Sequence, residues 1–306
     1  MGYSKLKKVA DAFDLSFLDR YHQLRRRKVG RKGYPISSYV KAWLAKHILG
    51  IPSEAQLVGR LNGSAELRKL CNLKKAPSRT SFCRARKRLG LRGIDFLFSF
   101  LVEKAKETGL TKGNLVAVDS TDFTAYCNGR KKLMERSDRF ARWGHSTTKG
   151  KVFGYKAHIA CDAETELPLA IVVLPASRHD TVGFFPLFEK LLKHFSFHIQ
   201  KLIADCAYDA TEIYQKLKGI TAVIARNGRG HYRSEKPKDP DYKKRTAIER
   251  LNSRVKEELG LDELKMRGLW AATFHATEIL CSMLYAAIGS FLAGFKDWRS
   301  IVSLRG

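Results

Sequence analysis

After Gly113 the hydrophobic pattern of this chain changes period, and that change limits the available folds more than any other feature. Leu115-Val116-Ala117-Val118-Asp119 is a short apolar run that ends in a carboxylate. Lys151 to Asp162 and Leu167 to Pro175 follow as strand-like runs, joined by the turn Ala163-Glu164-Thr165-Glu166 into an antiparallel hairpin. Thr181 to Phe195 repeats apolar residues at helical spacing (Phe184, Leu187, Phe188, Leu191, Leu192, Phe195). Lys201 to Asp205 is a second strand ending in a carboxylate. Ala210 to Leu217 reads as a helix, Ile220 to Ala225 as a strand, and Asp239-Pro240 as the start of a long helix that Gly260 stops. Strand, hairpin, helix, strand, helix, strand, helix predicts an α/β domain with a mixed sheet.

The region before it has another character. Residues 1–113 hold 26 Lys/Arg against 8 Asp/Glu, so they carry two-thirds of the chain's net charge of +27. So large an excess favours a polyanionic partner, nucleic acid first. Ile36 to Leu49 has an apolar stripe (Tyr39, Val40, Trp43, Leu44, His47, Ile48). Ser53 and Gln56 have capping-box spacing before a helix that Asn62-Gly63 ends. Pro77-Ser78 opens a short helix, Arg79 to Leu89, with Gly90 as its C-cap. Arg79, Arg84, Arg86, Lys87 and Arg88 crowd that helix. Short helices ending in an arginine-dense one suggest a helix-turn-helix-like DNA-binding domain at 1–112, followed by a domain at 113–306. A solvated basic helix on an ordinary bundle is the competing reading. The run Arg25-Arg26-Arg27-Lys28 with Arg31-Lys32 adds a non-specific phosphate grip or a merely solvated patch.

Met1 to Ala10 has no apolar h-region, so a signal peptide is not expected. Leu269 to Phe295 is apolar but broken by His275, Glu278, Ser282, Gly289 and Ser290, which reads as a buried helix and not a bilayer span. The six cysteines form no CxxC pair, which suggests reduced thiols in a cytoplasmic protein.

Asp119 and Asp205, each closing a strand, can share one sheet edge if their strands are parallel neighbours. Paired carboxylates suit hard divalent cations, and two ions roughly 3.5–4 Å apart serve phosphodiester chemistry. A cap or turn role is the alternative for either aspartate taken alone. On an ideal helix, Tyr242, Arg245, Glu249 and Lys256 fall within a ~60° sector, beside a stripe of Ile248, Leu251, Val255 and Leu259 that would pack on the sheet. An exposed i,i+4 pairing of Arg245 with Glu249 is the plainer reading.

The spacing Tyr242-x₂-Arg245-x₃-Glu249-x₆-Lys256 resembles the Tyr–Arg–Glu–Lys signature of DDE-type insertion-sequence transposases, in the group named after insertion sequence four. Val118-Asp119-Ser120-Thr121 and Ala204-Asp205-Cys206-Ala207-Tyr208-Asp209 resemble that group's two aspartate motifs. Gly154-Tyr155-Lys156-Ala157-His158 and Pro175-Ala176-Ser177-Arg178-His179-Asp180 resemble its intervening segments. The resemblance implies a ribonuclease-H-like catalytic domain, with Asp119, Asp205 and Glu249 as a catalytic triad binding two Mg²⁺ ions, for which Mn²⁺ can substitute. It implies that Tyr242, Arg245 and Lys256 contact transposon-end DNA or orient Glu249. Lys156 is a further candidate phosphate contact, and Arg79, Arg84, Arg86, Lys87 and Arg88 are candidates in the basic helix. His158 reads as a satisfied sheet residue, and Asp180 as either a helix cap or a residue near the site.

The implied activity is hydrolysis at element ends bearing terminal inverted repeats, then transfer of 3′-OH ends to target DNA by a homodimer assembled on double-stranded DNA. A DNA-binding relic without cutting activity and another ribonuclease-H-like nuclease are the alternatives. Only 43 residues separate Asp205 from Glu249, too few for the β-rich insertion some relatives carry there. The basic stretch Phe123 to Lys151, with Phe140 and Trp143 interleaved, reads as a DNA-clamping arm or a surface loop.

Overall fold

The computed structural model describes residues 3–23, 33–135, 137–146, 150–195, 198–228 and 235–305. The basic run Arg25 to Lys32, together with Arg136 and Lys149 of the basic stretch, lies outside the described residues. The chain divides into two compact units. One comprises Met1–Leu101, Glu257–Glu263 and Thr277–Gly306; the other comprises Val102–Lys256 and Leu264–Ala276. The expected boundary at 112 therefore sits inside the second unit, and the end of the chain belongs with its beginning.

The first unit is helical: α1 (Ser4–Asp11), α2 (Phe17–Gln23), α3 (Ile36–Ile48), α4 (Glu54–Gly63), α5 (Ala65–Leu70) and the start of α6 (Arg79–Glu107). Helix α3 is buried at all of its positions, not along one stripe, which makes it the central rod. Several of its polar residues have partners: the Ser37 hydroxyl donates to Asp19 at 2.6 Å, and the His47 ring meets Glu278 at 2.8 Å. Ser53 caps α4 by accepting from the Gln56 amide, as its spacing requires. Gly90 takes φ +63 and interrupts α6, so the arginine-rich segment stops where expected and the helix resumes to Glu107. Helix α10 (Leu269–Leu292) supplies the rest of the core. The Tyr285 ring lies 5.7 Å from Phe13, and a Cβ on Gly289 would come within 2.5 Å of Val9. This helix is long and apolar enough to cross a bilayer, but 94% of its apolar window is buried within the protein.

The second unit is a mixed α/β fold. Its described strands are β1 (Leu115–Thr124), β2 (Arg142–Ser146), β3 (Gly150–Asp162), β4 (Pro168–Pro175), β5 (Lys201–Ala204) and β6 (Thr221–Ile224). Strand β1 is central. It pairs antiparallel with β3 and parallel with β5, which pairs parallel with β6. Strand β4 pairs antiparallel with most of β3, and β2 with its first residues. Helices α7 (Asp180–Phe195), α8 (Thr211–Lys216) and α9 (Thr246–Glu257) complete the unit, and α9 buries Ala247, Ile248, Leu251, Asn252 and Val255. This is the mixed sheet with flanking helices expected of a ribonuclease-H-like domain.

Candidate active site

The pairing of β1 with β5 puts the two motif aspartates together. The parallel register sets Val116 against Leu202 and Ala117 against Ile203. Asp119 lies two residues beyond the last pair on β1 and Asp205 two residues beyond it on β5, and the Asp119 carboxyl feels the Asp205 charge. Strand β1 does not end at Asp119 as expected; Ser120 to Thr124 continue it against β3. The parallel ladder stops at Ala117, and Asp119 sits where the strand goes on with β3 alone. Asp205 follows β5 directly and accepts from the Ala207 amide at 3.0 Å, so it caps a turn as well as facing the site.

The electrostatics follow from this crowding. Burial, reinforced by the charges of Asp205 and Asp180, pushes the Asp119 carboxyl up to about 7. Burial and the Asp180 charge raise Asp205 as well, against the pull of the Ala207 amide, Arg245 and Lys156. Asp180 is the first residue of α7 and joins these aspartates electrostatically. Its Oδ1 accepts from Lys156 Nζ at 3.1 Å and lies 3.8 Å from His158 Nδ1. Lys156 is thus paired with an acid. His158 is fully buried with neither ring nitrogen hydrogen-bonded, contrary to the satisfied sheet residue expected, and burial lowers its pKa to about 4.

The Tyr–Arg–Glu–Lys residues do not lie on one α-helix. Tyr242 and Arg245 belong to a 3₁₀ segment, Pro240–Arg245, and only Glu249 and Lys256 lie on α9. Asp239 and Asp241 tie that segment to Lys201 Nζ at 3.0 and 2.7 Å. Arg245 pairs with Glu249 one turn on and lies 6.0 Å from the centre of the Tyr242 ring. Burial opposes its charge, but Glu249, Asp119 and Asp205 outweigh that and raise its pKa. On α9, Asn252 touches the first aspartate: its Nδ2 donates to Asp119 Oδ2 at 3.1 Å. Its Oδ1 is buried without a partner. Sequence reading passed over Asn252, although its place three residues after Glu249 puts it on the same side of the helix.

Glu249, Asp119 and Asp205 thus all act on one guanidinium, that of Arg245. Among the described residues no group of three or more histidine, cysteine or acidic side chains is arranged to hold a metal ion. Glu249 faces Arg245, whose guanidinium already neutralises it. The donor chemistry at Asp119, Asp205 and the orphaned Asn252 Oδ1 nevertheless fits a hard divalent cation. These are oxygen ligands, and two mutually repelling acids are relieved by added positive charge.

The basic helix needs one correction. Arg79, Arg84, Lys87 and Arg88 are exposed, but Arg86 is buried, 5.0 Å from the Trp43 ring and ion-paired with Glu54 and Glu278. It is an internal residue of the helical unit, with its charge already met by two carboxylates. Beside Lys156 opens a cavity of about 750 Å³ lined by Trp143, His145, Lys151, Arg178 and His179, a cationic surface with one exposed aromatic.

A family profile described as a transposase DDE domain matches residues 110–285, and one described as a transposase domain (DUF772) matches residues 3–88. Among solved structures the chain is similar to a piggyBac transposase synaptic complex with hairpin DNA, at 12% identity and a TM-score of 0.41, over 97% of this chain and 76% of that one. It is also similar to a Mos1 transposase paired-end complex with the left transposon end, at 10% identity and a TM-score of 0.24, over 79% of this chain and 85% of that one. No curated protein matches it. With the DDE-domain profile spanning more than half of its length, the chain belongs to the family of DDE-domain transposases.

Proposed function

We propose that this protein is the transposase of an insertion sequence, of the group with the Tyr–Arg–Glu–Lys signature. In this reading it binds terminal inverted repeats, hydrolyses phosphodiesters at the element ends and transfers the 3′-OH ends to target DNA. What supports the reading is the parallel β1–β5 ladder that leads to Asp119 and Asp205 on adjacent strands, with Arg245 in the field of both aspartates and of Glu249.

Asp119 and Asp205 hold the divalent ions, two Mg²⁺ or Mn²⁺, and Asn252 keeps Asp119 aligned. When bound, such ions activate a hydroxyl nucleophile and stabilise the leaving oxygen. Glu249 exchanges its Arg245 partner for the aspartates and completes the acidic set, which frees the guanidinium for a DNA phosphate. Tyr242, Lys256 and Lys156 contact the transposon end beside the scissile bond. The exposed Arg79, Arg84, Lys87 and Arg88 of α6 grip the terminal repeat, and the surplus of positive charge supplies the phosphate contacts. Two element ends joined in one reaction need two sites in fixed relation, so the working species is a homodimer on DNA, acting in the cytoplasm at the nucleoid.

Cleavage of a DNA fragment bearing the native flanking repeat, with Mg²⁺ or Mn²⁺, tests this. Wild type cuts at the repeat boundary; Glu249→Gln and Asp119→Asn bind the fragment and leave it whole. Cutting by Glu249→Gln at the wild-type rate would overturn the assignment.

A further inference from the structure

The turn between β3 and β4 is closed by Glu166 at φ +62, a left-handed conformation that costs any residue carrying a Cβ and that glycine or asparagine adopts more easily. Its carboxylate is not spent on solvent. Glu166 is 8% exposed; its Oε1 accepts from Arg250 Nε at 2.6 Å and its Oε2 from Arg254. Those arginines stand four residues apart on one side of α9, on either side of Asn252, the residue that donates to Asp119.

The turn that presents Glu166 is itself braced. The Glu166 amide donates to Asp162 O at 2.8 Å. The buried Asp162 carboxylate accepts from the amides of Glu164 and Thr165 and, from ahead of β1, those of Lys112 and Gly113. Cys161, paired in register with Ala117, has Glu166, Arg254 and Asp119 all within electrostatic range. The clamp therefore stands beside the first aspartate.

We propose that Glu166 is a positioning residue for the chemistry of the carboxylate site, fixing the register of α9 through Arg250 and Arg254 so that Asn252 stays on Asp119 and Glu249 stays on its Arg245 partner beside the site. Two charge-assisted bonds to one helix face oppose both sliding and rotation, which a single bond would not. The inference rests on the proposed transposase reading of that site.

The test uses the full chain and the fragment carrying the native flanking repeat. Glu166→Gln keeps the side chain's shape and removes its charge; Glu166→Asn removes both but suits the backbone. Measured are the single-turnover cleavage rate at saturating DNA, the Mg²⁺ concentration for half-maximal rate, end affinity, and Mn²⁺ binding by electron paramagnetic resonance. Both variants should cut about 10²-fold more slowly and bind Mn²⁺ on the order of tenfold more weakly, with end affinity within about twofold because no DNA contact is removed. Wild-type rate and metal dependence in either variant overturn the clamp. If Glu166→Gln does not fold, Arg254→Gln, which breaks one arm of the clamp and leaves the turn intact, must show the same two losses. If wild type itself cuts no DNA, the transposase reading fails separately, and unchanged Mn²⁺ binding in Glu166→Gln still overturns the clamp.

Discussion

Arg86 lies with its guanidinium 5.0 Å from the Trp43 ring, between Glu54 and Glu278, in the interior of the helical unit. Glu278 would be raised by burial, but the His47 hydrogen bond at 2.8 Å and the charges of Arg86 and Lys46 outweigh that and hold it near 2. Removing one member of such a network strands the others. Arg86→Ala should therefore lower stability by about 3–5 kcal/mol in urea unfolding, with little change in the salt dependence of DNA binding. Arg84→Ala and Arg88→Ala should behave the opposite way, near-wild-type in stability with the salt slope reduced by about one each. Equal salt slopes for all three would show that exposure does not decide which arginines meet DNA.

The raised pKa of Asp119 fixes the sign of a pH effect. Its proton is held up to about pH 7 in the folded chain and released near 3.8 when unfolded. Its contribution to stability is thus fully present below about pH 4, declines between there and 7, and stays lost above. Asp119→Asn should make the metal-free protein more stable at pH 8 by up to about 4 kcal/mol, with little gain at pH 4, while abolishing cleavage. Mg²⁺ should stabilise wild type at pH 8 and not the variant. Thermal unfolding across that range, with and without chelator, decides it.

A fragment ending at residue 112 should not fold cooperatively. It lacks Tyr285, which packs on Phe13, Gly289, which packs on Val9, and Arg305, which donates to Ile48 O at 2.9 Å. Circular dichroism should show a broad, non-sigmoidal melt, and DNA-end binding is best measured on the whole chain.

Gly183 in α7 leaves room for the buried His158 ring; a Cβ there would stand 2.4 Å from it. Gly183→Ala should destabilise the protein by about 1–3 kcal/mol through overpacking. Because Asp180 begins the same helix, the variant should also lose cleavage at temperatures where it is still folded. A fully active, equally stable variant would mean that the ring moves aside freely.

Strands β1, β3, β4, β5 and β6, the β3–β4 hairpin and α7 were legible because each is announced locally, by an apolar run, a polar turn or helical spacing; β2 was not, since Arg142 to Ser146 lies in the basic stretch read as an arm or a loop and is made strand by pairing with β3. The stop at Gly90 was legible for the same reason. The continuation of β1 through Ser120, Thr121 and Asp122 was not, because those polar residues are made strand by Ala157, Lys156 and His158 opposite them, supplied from a distant part of the chain. The burial of Arg86 likewise depends on Glu54 and Glu278, which no local window contains. Placing Tyr242 and Arg245 on an ideal helix failed because the 3₁₀ segment winds more tightly, held at its start by Lys201 gripping Asp239 and Asp241. Near the candidate site, the two aspartates stand out in the sequence as strand-end carboxylates; Asn252 and Glu166 do not, since the contact of Asn252 with Asp119 and those of Glu166 with Arg250 and Arg254 form only once α9 lies against β1 and the hairpin.

The register of β1 on β5 has a consequence for how such a chain can change length. One residue inserted between Ala117 and Asp119 would turn the carboxylate to the opposite face of the sheet. Two would restore the face but carry it about 6.6 Å along the strand relative to Asp205. Insertions and deletions are closed to this edge in steps of one and of two alike. The connection between β1 and β2 is pinned in another way, by the buried Asp138 carboxylate, which accepts from the Tyr155 hydroxyl and from the Gly268 amide at 2.7 Å, so a change of length there is felt at β3 and not at the aspartates.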